Sequence, residues 1–592
     1  MRIPILLTVV FTASLHAQIP QYDHIVVVME ENHSRTQIIG NRAEAPFINA
    51  LAKRGVTLTN MAGVTHPSQP NYLELFSGDS QSVLDDGKPG GLPFTTPNLA
   101  AALRAAGKTF IGYSEDLPAP GDASTVMTFF PGGADRYARK HVPWTNWQSS
   151  AAPLPTNGLP PAVNQPFSAF PTDFNLLPDV AFVIPNEQHD MHSGNDRVRN
   201  GDRWLATRLL AYAAWAIANN SLLIVTWDED DYRSANEIPT ILYGAHLRTG
   251  TNDGAWTLHH LLRTITDLEG LAPIGKAAGV SRIAGIFTGE QPVATRTFRQ
   301  GATYRGTHDI LLRESAPNFA IASTPLGGVG ISASSGARDQ VLIRFDSIFG
   351  ASAQQLPQSA AIVSAQLRLQ SGAGTTDGTT QPVAVHRLRI PFTDTSTWNS
   401  LINGISTDNV EAAASPEFIA TPRFAHDAVR FDVTSTLQDL AAGGTNDGWL
   451  VTLAGTDTWR FALSENLAAP AERPALQVTF AASELSLDTS FLRVKENAGS
   501  VTLTVHRTGV INAPAACDFI TLDGSAAGGS DFTAKRGTLS WPAGDATDRN
   551  IVIPVRNNPQ VEGREAFVVR LRAPSGIGKI GTNFQTLVVI QE

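Results

Sequence analysis

An α/β domain followed by two all-β sandwich domains is the architecture this sequence predicts. At 592 residues the chain exceeds what one hydrophobic core organises, since domains usually run roughly 100 to 200 residues. Between about 20 and 290, apolar runs of strand length alternate with helical stretches, the pattern of a mostly parallel sheet covered by helices. After about 295 short alternating strands follow one another between Gly, Ser, Asp and Asn, as in a β-sandwich.

At the N-terminus, Met1-Arg2, the apolar run Ile3 to Phe11 and the small-residue end Ser14-Leu15-His16-Ala17 read as a secretory signal over residues 1–17. An uncleaved anchor is the alternative, but the apolar run is shorter than the roughly 20 residues of a membrane span, and no later stretch qualifies as transmembrane. Cys517 is the only cysteine, so no intrachain disulfide forms; export without disulfides fits a secreted, extracellular or periplasmic protein of bacterial type. A formal net charge of −10 leaves no basic footprint, which excludes nucleic acid as a partner.

Within the α/β part, Ile25-Val26-Val27-Val28 and Leu222-Leu223-Ile224-Val225 read as buried parallel strands. Each runs directly into acids, Glu30-Glu31-Asn32 in one case and Asp228-Glu229-Asp230-Asp231 in the other, and open α/β sheets place ligands at the carboxyl ends of strands. Helices are predicted over Thr96 to Ala106, Asp202 to Ala218 with Asp202 at the cap end, and Trp256 to Leu268. Pro185 and Pro239 punctuate loops beside strands, and the Pro-, Gly-, Ala- and Ser-rich stretch Pro118 to Pro171 reads as loop over the core.

The stretch His66-Pro67-Ser68-Gln69-Pro70-Asn71-Tyr72 sets a serine between two prolines at the start of a helix. Free backbone N–H groups there favour a phosphoryl group, although a helix-capping role accounts for the serine equally well. A serine hydroxyl needs a base or a metal to become a nucleophile, and Glu31, Asn32, Asp228 and Glu229 are oxygen donors for such an ion.

Five motifs occur in the order found in the phosphoesterase family. They are Val26 through Ser34, His66 through Tyr72, Asn186 through Asp190-Met191-His192, Gly201-Asp202-Arg203-Trp204-Leu205, and Thr226-Trp227-Asp228-Glu229-Asp230-Asp231. Residues 18–292 thus resemble a family of bacterial and fungal acid phosphatases and non-haemolytic phospholipases C, within the alkaline phosphatase superfamily. The resemblance implies an alkaline-phosphatase-like sheet flanked by helices, Ser68 as nucleophile, and Glu31, Asn32, Ser68, Asp228 and Glu229 as metal ligands. It further implies that His192 and, through Tyr137-Ala138-Arg139-Lys140-His141, His141 reach the phosphate, with Asn71, Asp190 and Lys140 binding substrate. His189 is expected to be a neighbour. The chain departs from the family at Asn236-Glu237, where relatives often carry a histidine, and at His259-His260, which are displaced; a single metal is therefore expected. Its hard donors suit calcium, magnesium or manganese, with zinc an option.

Residues 296–481 resemble a DNRLRE-type β-sandwich through Val341 to Asp346, Phe431-Asp432-Val433-Thr434, Asn446 to Leu450 and Arg473 to Leu476. Related modules include carbohydrate binders, so a glycan or cell surface is a candidate partner; Trp398, Trp449 and Trp459 are either sugar-stacking or core residues. Residues 484–592 resemble a Calx-beta domain through Val494 to Gly499, Gly529 to Phe532 and Val561 to Phe567, which implies calcium at Glu496, Asp531, Glu562 and Glu565. Asn557-Asn558 stands where an acidic pair is usual and weakens that site, with a structural spacer as the alternative.

Taken together these residues lead to the expectation of a secreted, metal-dependent phosphoric ester hydrolase of acid phosphatase type, acting on a small phosphate ester or phospholipid head group through a phosphoserine. The alternatives are a phospholipase C-type phosphodiesterase and a surface-binding or adhesive protein with an inactive catalytic domain.

Overall fold

The computed structural model describes residues 19–557 and 563–591. The secretory-signal reading of residues 1–17, and with it Asn558 and Glu562, falls outside them. Among the described residues no helix is long and apolar enough to cross a membrane.

The N-terminal domain is built on eight strands in the order Gly250–Asn252, Val56–Leu58, Thr240–Gly244, Ser221–Trp227, His24–Glu30, Val180–Ile184, Phe110–Ser114 and Asn164–Pro166. His24–Glu30 lies inside this sheet, parallel to both neighbours, with Val28 opposite Val183 on one side and Val225 on the other. Its valines are buried on both faces, which is why the run is continuously apolar. The register also sets Glu30 opposite Trp227, so the two acidic clusters leave the sheet side by side and Asp228 N–H donates to Glu30 O at 3.1 Å.

Helices cover the sheet, but their boundaries differ from expectation in instructive places. The helix expected from Asp202 begins at Arg197 and runs to Ala218. Asp202 caps a different helix: its carboxylate accepts from Phe47 N (3.2 Å) and Ile48 N (2.8 Å), the unsatisfied amides that open Pro46–Arg54. The stretch from Trp256 first adds a short strand beside Met61–Ala62, and the helix Leu258–Leu268 starts only after Thr257, whose hydroxyl and amide both meet His260 Nδ1. The stretch Thr96 to Ala106 narrows to Leu99–Ala105 behind an Asn98 cap. The long loop 118–171 carries the strand pair Met127–Phe129 and Asp135–Ala138 and several single helical turns.

The second domain opens on Val293–Arg299, which pairs along its whole length with Ala475–Ala481. That four-stranded sheet faces a larger one in a sandwich. Trp398, Trp449 and Trp459 are all buried, and the Trp459 indole N–H donates to Ser371 Oγ at 2.9 Å, so none of the three offers a ring to a sugar. The third domain starts immediately afterwards at Ser483–Leu487 and is again two sheets around its own core.

The domains are joined by polar contacts. Arg430 of the sandwich reaches into the first domain, donating to Asn60 O (3.2 Å) and Asn60 Oδ1 (2.9 Å), while Ala255 N donates to Thr479 Oγ1 at 3.0 Å. In the third domain, Lys579 bonds Asp253 (3.2 Å) and Val293 O (2.8 Å), and Arg248 pairs with Glu484.

Candidate active site

Ser68 is the first residue of the helix Ser68–Ser77, and Pro67, not Ser68, occupies the cap position. The hydroxyl is therefore not consumed by capping. It donates to Glu31 Oε2 at 2.9 Å and lies 3.5 Å from Glu229 Oε1. One turn on, Asn71 and Tyr72 share that helix face, as residues three and four apart must. Tyr72 OH donates to Glu31 Oε1 at 2.8 Å, and Asn71 Nδ2 to Glu229 Oε2 at 3.2 Å.

Glu31, Asp228 and Glu229 are buried next to one another at the strand ends. Burial, reinforced by the charges of Glu31 and Glu229, holds the Asp228 carboxyl well above the usual range. Burial and the Glu31 charge likewise raise Glu229 against the pull of His66. Glu31 goes the other way: burial opposes its charge, but His141, His192 and Lys140 outweigh it. Asn32 sits at φ 52, a left-handed conformation asparagine tolerates, and from there its amide bonds Asp228 Oδ1 (3.1 Å) and its side chain donates to Glu31 (2.7 Å).

These residues fit a divalent cation. Among the described residues Asp228 Oδ2 is buried without a hydrogen-bond partner, which leaves a hard oxygen donor beside Glu31 and Glu229. Among the described residues no three acid, histidine or cysteine side chains form a preformed metal cage.

The histidines sit differently from expectation. His141 is buried beneath the site, stacked on Tyr72 with ring centroids 4.9 Å apart. Its Nε2 lies 2.9 Å from Glu31 Oε1, an ion-pair contact without hydrogen-bond alignment, and its Nδ1 is 3.3 Å from Asp190. It thus supports Glu31 from behind and does not reach the mouth. His192 does reach it: Nδ1 pairs with Glu187 at 2.6 Å and Nε2 lies 3.4 Å from Lys140 Nζ. Burial works against charge on His192, yet Glu187 and Glu31 raise its pKa. His189 is a neighbour, paired with Glu115 at 2.8 Å.

Two expected substrate-binding residues are tied into their surroundings. Asn71 spends its side chain on Val64 N, Thr65 N, Thr65 O and Glu229, which fixes the loop before Ser68. Asp190 is buried, accepts from His192 N at 2.8 Å and faces His141; a carboxylate there orients histidines and would repel a phosphate. The Lys140 ammonium lies 3.2 Å from Asp86 and 3.4 Å from His192 Nε2.

Sequence reasoning passed over three participants. Asp86 Oδ1 accepts from Gln69 N at 3.0 Å, so a carboxylate already occupies one of the helix N-terminal amides expected to hold phosphate. Glu187 supports His192 and follows the strand Val180–Ile184, a position that could have flagged it. His66 links Glu229 (3.0 Å) to Asp230 (3.4 Å), and these acids overcome its burial and raise its pKa to about 10.

Asp531 accepts from Ala527 N at 2.7 Å, Glu496 lies in the turn Glu496–Ala498 and Glu565 opens the strand Glu565–Gly576. The departures noted above prove structural as well: Asn236 bonds Asp230 N (3.0 Å) and Thr65 O (3.1 Å), while His259 pairs with Glu74 at 2.8 Å.

An α/β domain with a serine facing buried carboxylates at the strand ends is that of a hydrolase acting on phosphate esters. The chain belongs to the phosphoesterase family, which matches residues 41–272, and a Calx-beta domain matches residues 481–592. It is 45% identical over 273 residues to a phosphatidylinositol-3-phosphatase of Mycobacterium tuberculosis, covering 45% of this chain and 84% of that protein. It is 28% identical over 269 residues to an acid phosphatase of Aspergillus fumigatus, covering 43% of this chain and 59% of the fungal protein. A solved alkaline phosphatase superfamily protein from Vibrio parahaemolyticus matches 42% of this chain and 67% of its own at 13% identity, with a TM-score of 0.31.

Proposed function

We propose that this chain is an exported, divalent-metal-dependent phosphomonoesterase of acid phosphatase type that works through a phosphoserine at Ser68. The observation that carries the reading is the Ser68 hydroxyl, bonded to Glu31 at 2.9 Å in a wall of buried carboxylates. Phosphatase relatives favour monoester over diester cleavage, and the M. tuberculosis relative favours a phosphomonoester on a lipid head group among the substrates. The export part rests on the pattern of residues 1–17. An adhesive protein with a dead catalytic domain has no need of this intact serine–carboxylate geometry.

A divalent ion held by Glu31, Asn32, Asp228, Glu229 and Ser68 would, when bound, lower the pKa of the serine hydroxyl and offset charge on the phosphoryl oxygens. Lys140 and His192 meet the phosphate from the open side. Ser68 Oγ forms a bond to phosphorus as the bond to the leaving oxygen breaks; the serine proton is lost to water, since His141, His192 and Lys140 hold its partner Glu31 ionised. His192, kept charged by Glu187, gives a proton to the leaving oxygen, which departs with the bonding electron pair. Water then attacks phosphorus from the side the leaving oxygen left, giving a proton to the now neutral His192, while the bond between phosphorus and Ser68 Oγ breaks, the serine oxygen takes up a proton from solvent and phosphate is freed.

The test uses the purified full chain and an aryl phosphate. Thorough chelation is expected to reduce turnover on the order of 10²-fold or more, because such an ion supplies several kcal/mol to the transition state. Re-addition of calcium, magnesium, manganese or zinc one at a time should restore it. Mass spectrometry of acid-quenched reactions should find phosphate on the peptide containing Ser68. Turnover untouched by chelation would remove the metal from this reading, and phosphate found on another residue would remove Ser68.

A further inference from the structure

The β-sandwich reaches the rim of the catalytic site. Between its strands Phe418–Ala420 and Ala428–Asp432 a tight turn is tied by the Asp427 carboxylate, which accepts from Arg423 N at 2.8 Å and Phe424 N at 2.9 Å. The other Asp427 oxygen lies 3.9 Å from His66 Nε2, and His66 Nδ1 is 3.0 Å from Glu229, the acid beside Ser68. Tyr232 stacks on His66 with centroids 3.9 Å apart and planes 21° from parallel. Phe424 meets Tyr232 edge to face at 5.9 Å, and the Arg423 guanidinium lies over Phe424 at 5.3 Å.

Two features mark this stack as more than packing. Tyr232 is held at φ 65, a costly conformation for a bulky residue, by amide bonds from Tyr232, Ser234 and Asn236 to the Asp230 carboxylate. The ring so held is not buried: Tyr232 is 45% exposed and Phe424 36%. Nor is it remote from the chemistry, since its stacking partner His66 lies 3.0 Å from Glu229, the acid 3.5 Å from the Ser68 hydroxyl. A strained, solvent-facing aromatic corner next to a phosphate site is a place to lay a flat ring, whose edge or face meets the π-clouds of both side chains.

We infer that Tyr232 of the catalytic domain and Phe424 of the β-sandwich form one subsite that binds the leaving group of the ester when it carries an aromatic ring, which makes the sandwich part of the specificity machinery. The inference rests on the phosphate-ester reading of the Ser68 site for which group is released, and on the geometry alone for ring binding.

Full-length Phe424→Ala and Phe424→Leu are compared with wild type on phenyl phosphate and glycerol 2-phosphate. The ratio of kcat/KM for the aryl ester to that for the alkyl ester is expected to fall roughly three- to tenfold in both variants, the range of one aromatic contact, with the loss in KM. Phe424→Tyr, which keeps the ring, should hold the wild-type ratio. Calorimetric titration with phenylphosphonate should show the same loss of affinity in the ring-deleting variants. An unchanged ratio with unchanged phenylphosphonate affinity overturns the subsite. If wild type cleaves neither ester but phenylphosphonate affinity still drops with the ring, the subsite stands and the hydrolase reading falls.

Discussion

Ser68→Ala is expected to lower phosphate release from an aryl phosphate on the order of 10⁴-fold or more while the protein stays folded. The size follows from what is removed, since losing the nucleophile of a covalent mechanism leaves only binding and electrostatic stabilisation to act on attack by water. The fold survives because the hydroxyl contributes only its bonds to Glu31 and Glu229. Glu31 keeps Tyr72 OH at 2.8 Å and Asn32 Nδ2 at 2.7 Å, so the cost of one lost donor is about 1 kcal/mol. Steady-state kinetics beside a thermal melt separates the two effects. A variant that turns over within tenfold of wild type places the nucleophile elsewhere.

Glu74→Gln is expected to be the more damaging change for stability. Glu74 lies on the same helix as Ser68, is buried, and is flanked by Lys276 Nζ at 2.7 Å and His259 Nε2 at 2.8 Å. Removing one partner of a buried pair costs about 3 kcal/mol here, the low end of the usual range because the Lys276 side chain is 31% exposed. At roughly 2–4 °C per kcal/mol, that shifts the melting of the catalytic domain by roughly 6–12 °C.

The same pair makes a pH prediction. Burial opposes the Glu74 charge, but Lys276 and His259 prevail and draw its pKa from 4.5 down to about 2. A depressed acid contributes stability that is fully present above its unfolded pKa and is lost as pH falls through the folded one. The stability gap between wild type and Glu74→Gln should therefore be flat above about pH 5 and shrink between 4.5 and about 2. Urea melts at neutral and acidic pH measure it, and a gap that widens on acidification contradicts the assignment.

Much of this was legible in the chain because local pattern records burial. The valines of His24–Glu30 and the apolar run of Ser221–Trp227 announced buried parallel strands, and the acids after them announced a site at the carboxyl edge. What local pattern does not record is the distant group each polar side chain meets. Asp202 reads as the cap of its own helix but caps one that starts more than 150 positions earlier in the chain. Asn71, Asp190 and His141 carry the right chemistry to touch a phosphate, yet Asn71 is bonded to the loop before Ser68, and Asp190 and His141 are buried facing each other with His141 against Glu31. Their roles were decided by burial, which makes an unpaired polar atom costly and so assigns each one a partner.

Sequence alone determined the α/β core, the serine at its helix start and the facing carboxylates, because periodicity and motif order follow from which residues must be buried and which must meet at strand ends. Only the tertiary structure decided that Ser68 is free of a capping duty, that His141 braces Glu31 while His192 faces the mouth, and that the β-sandwich turn at Arg423 to Asp427 stands at the rim of the site. Those facts depend on contacts between residues far apart in the chain, such as Asp427 with His66 and Arg430 with Asn60, which form only once separate cores have packed against one another.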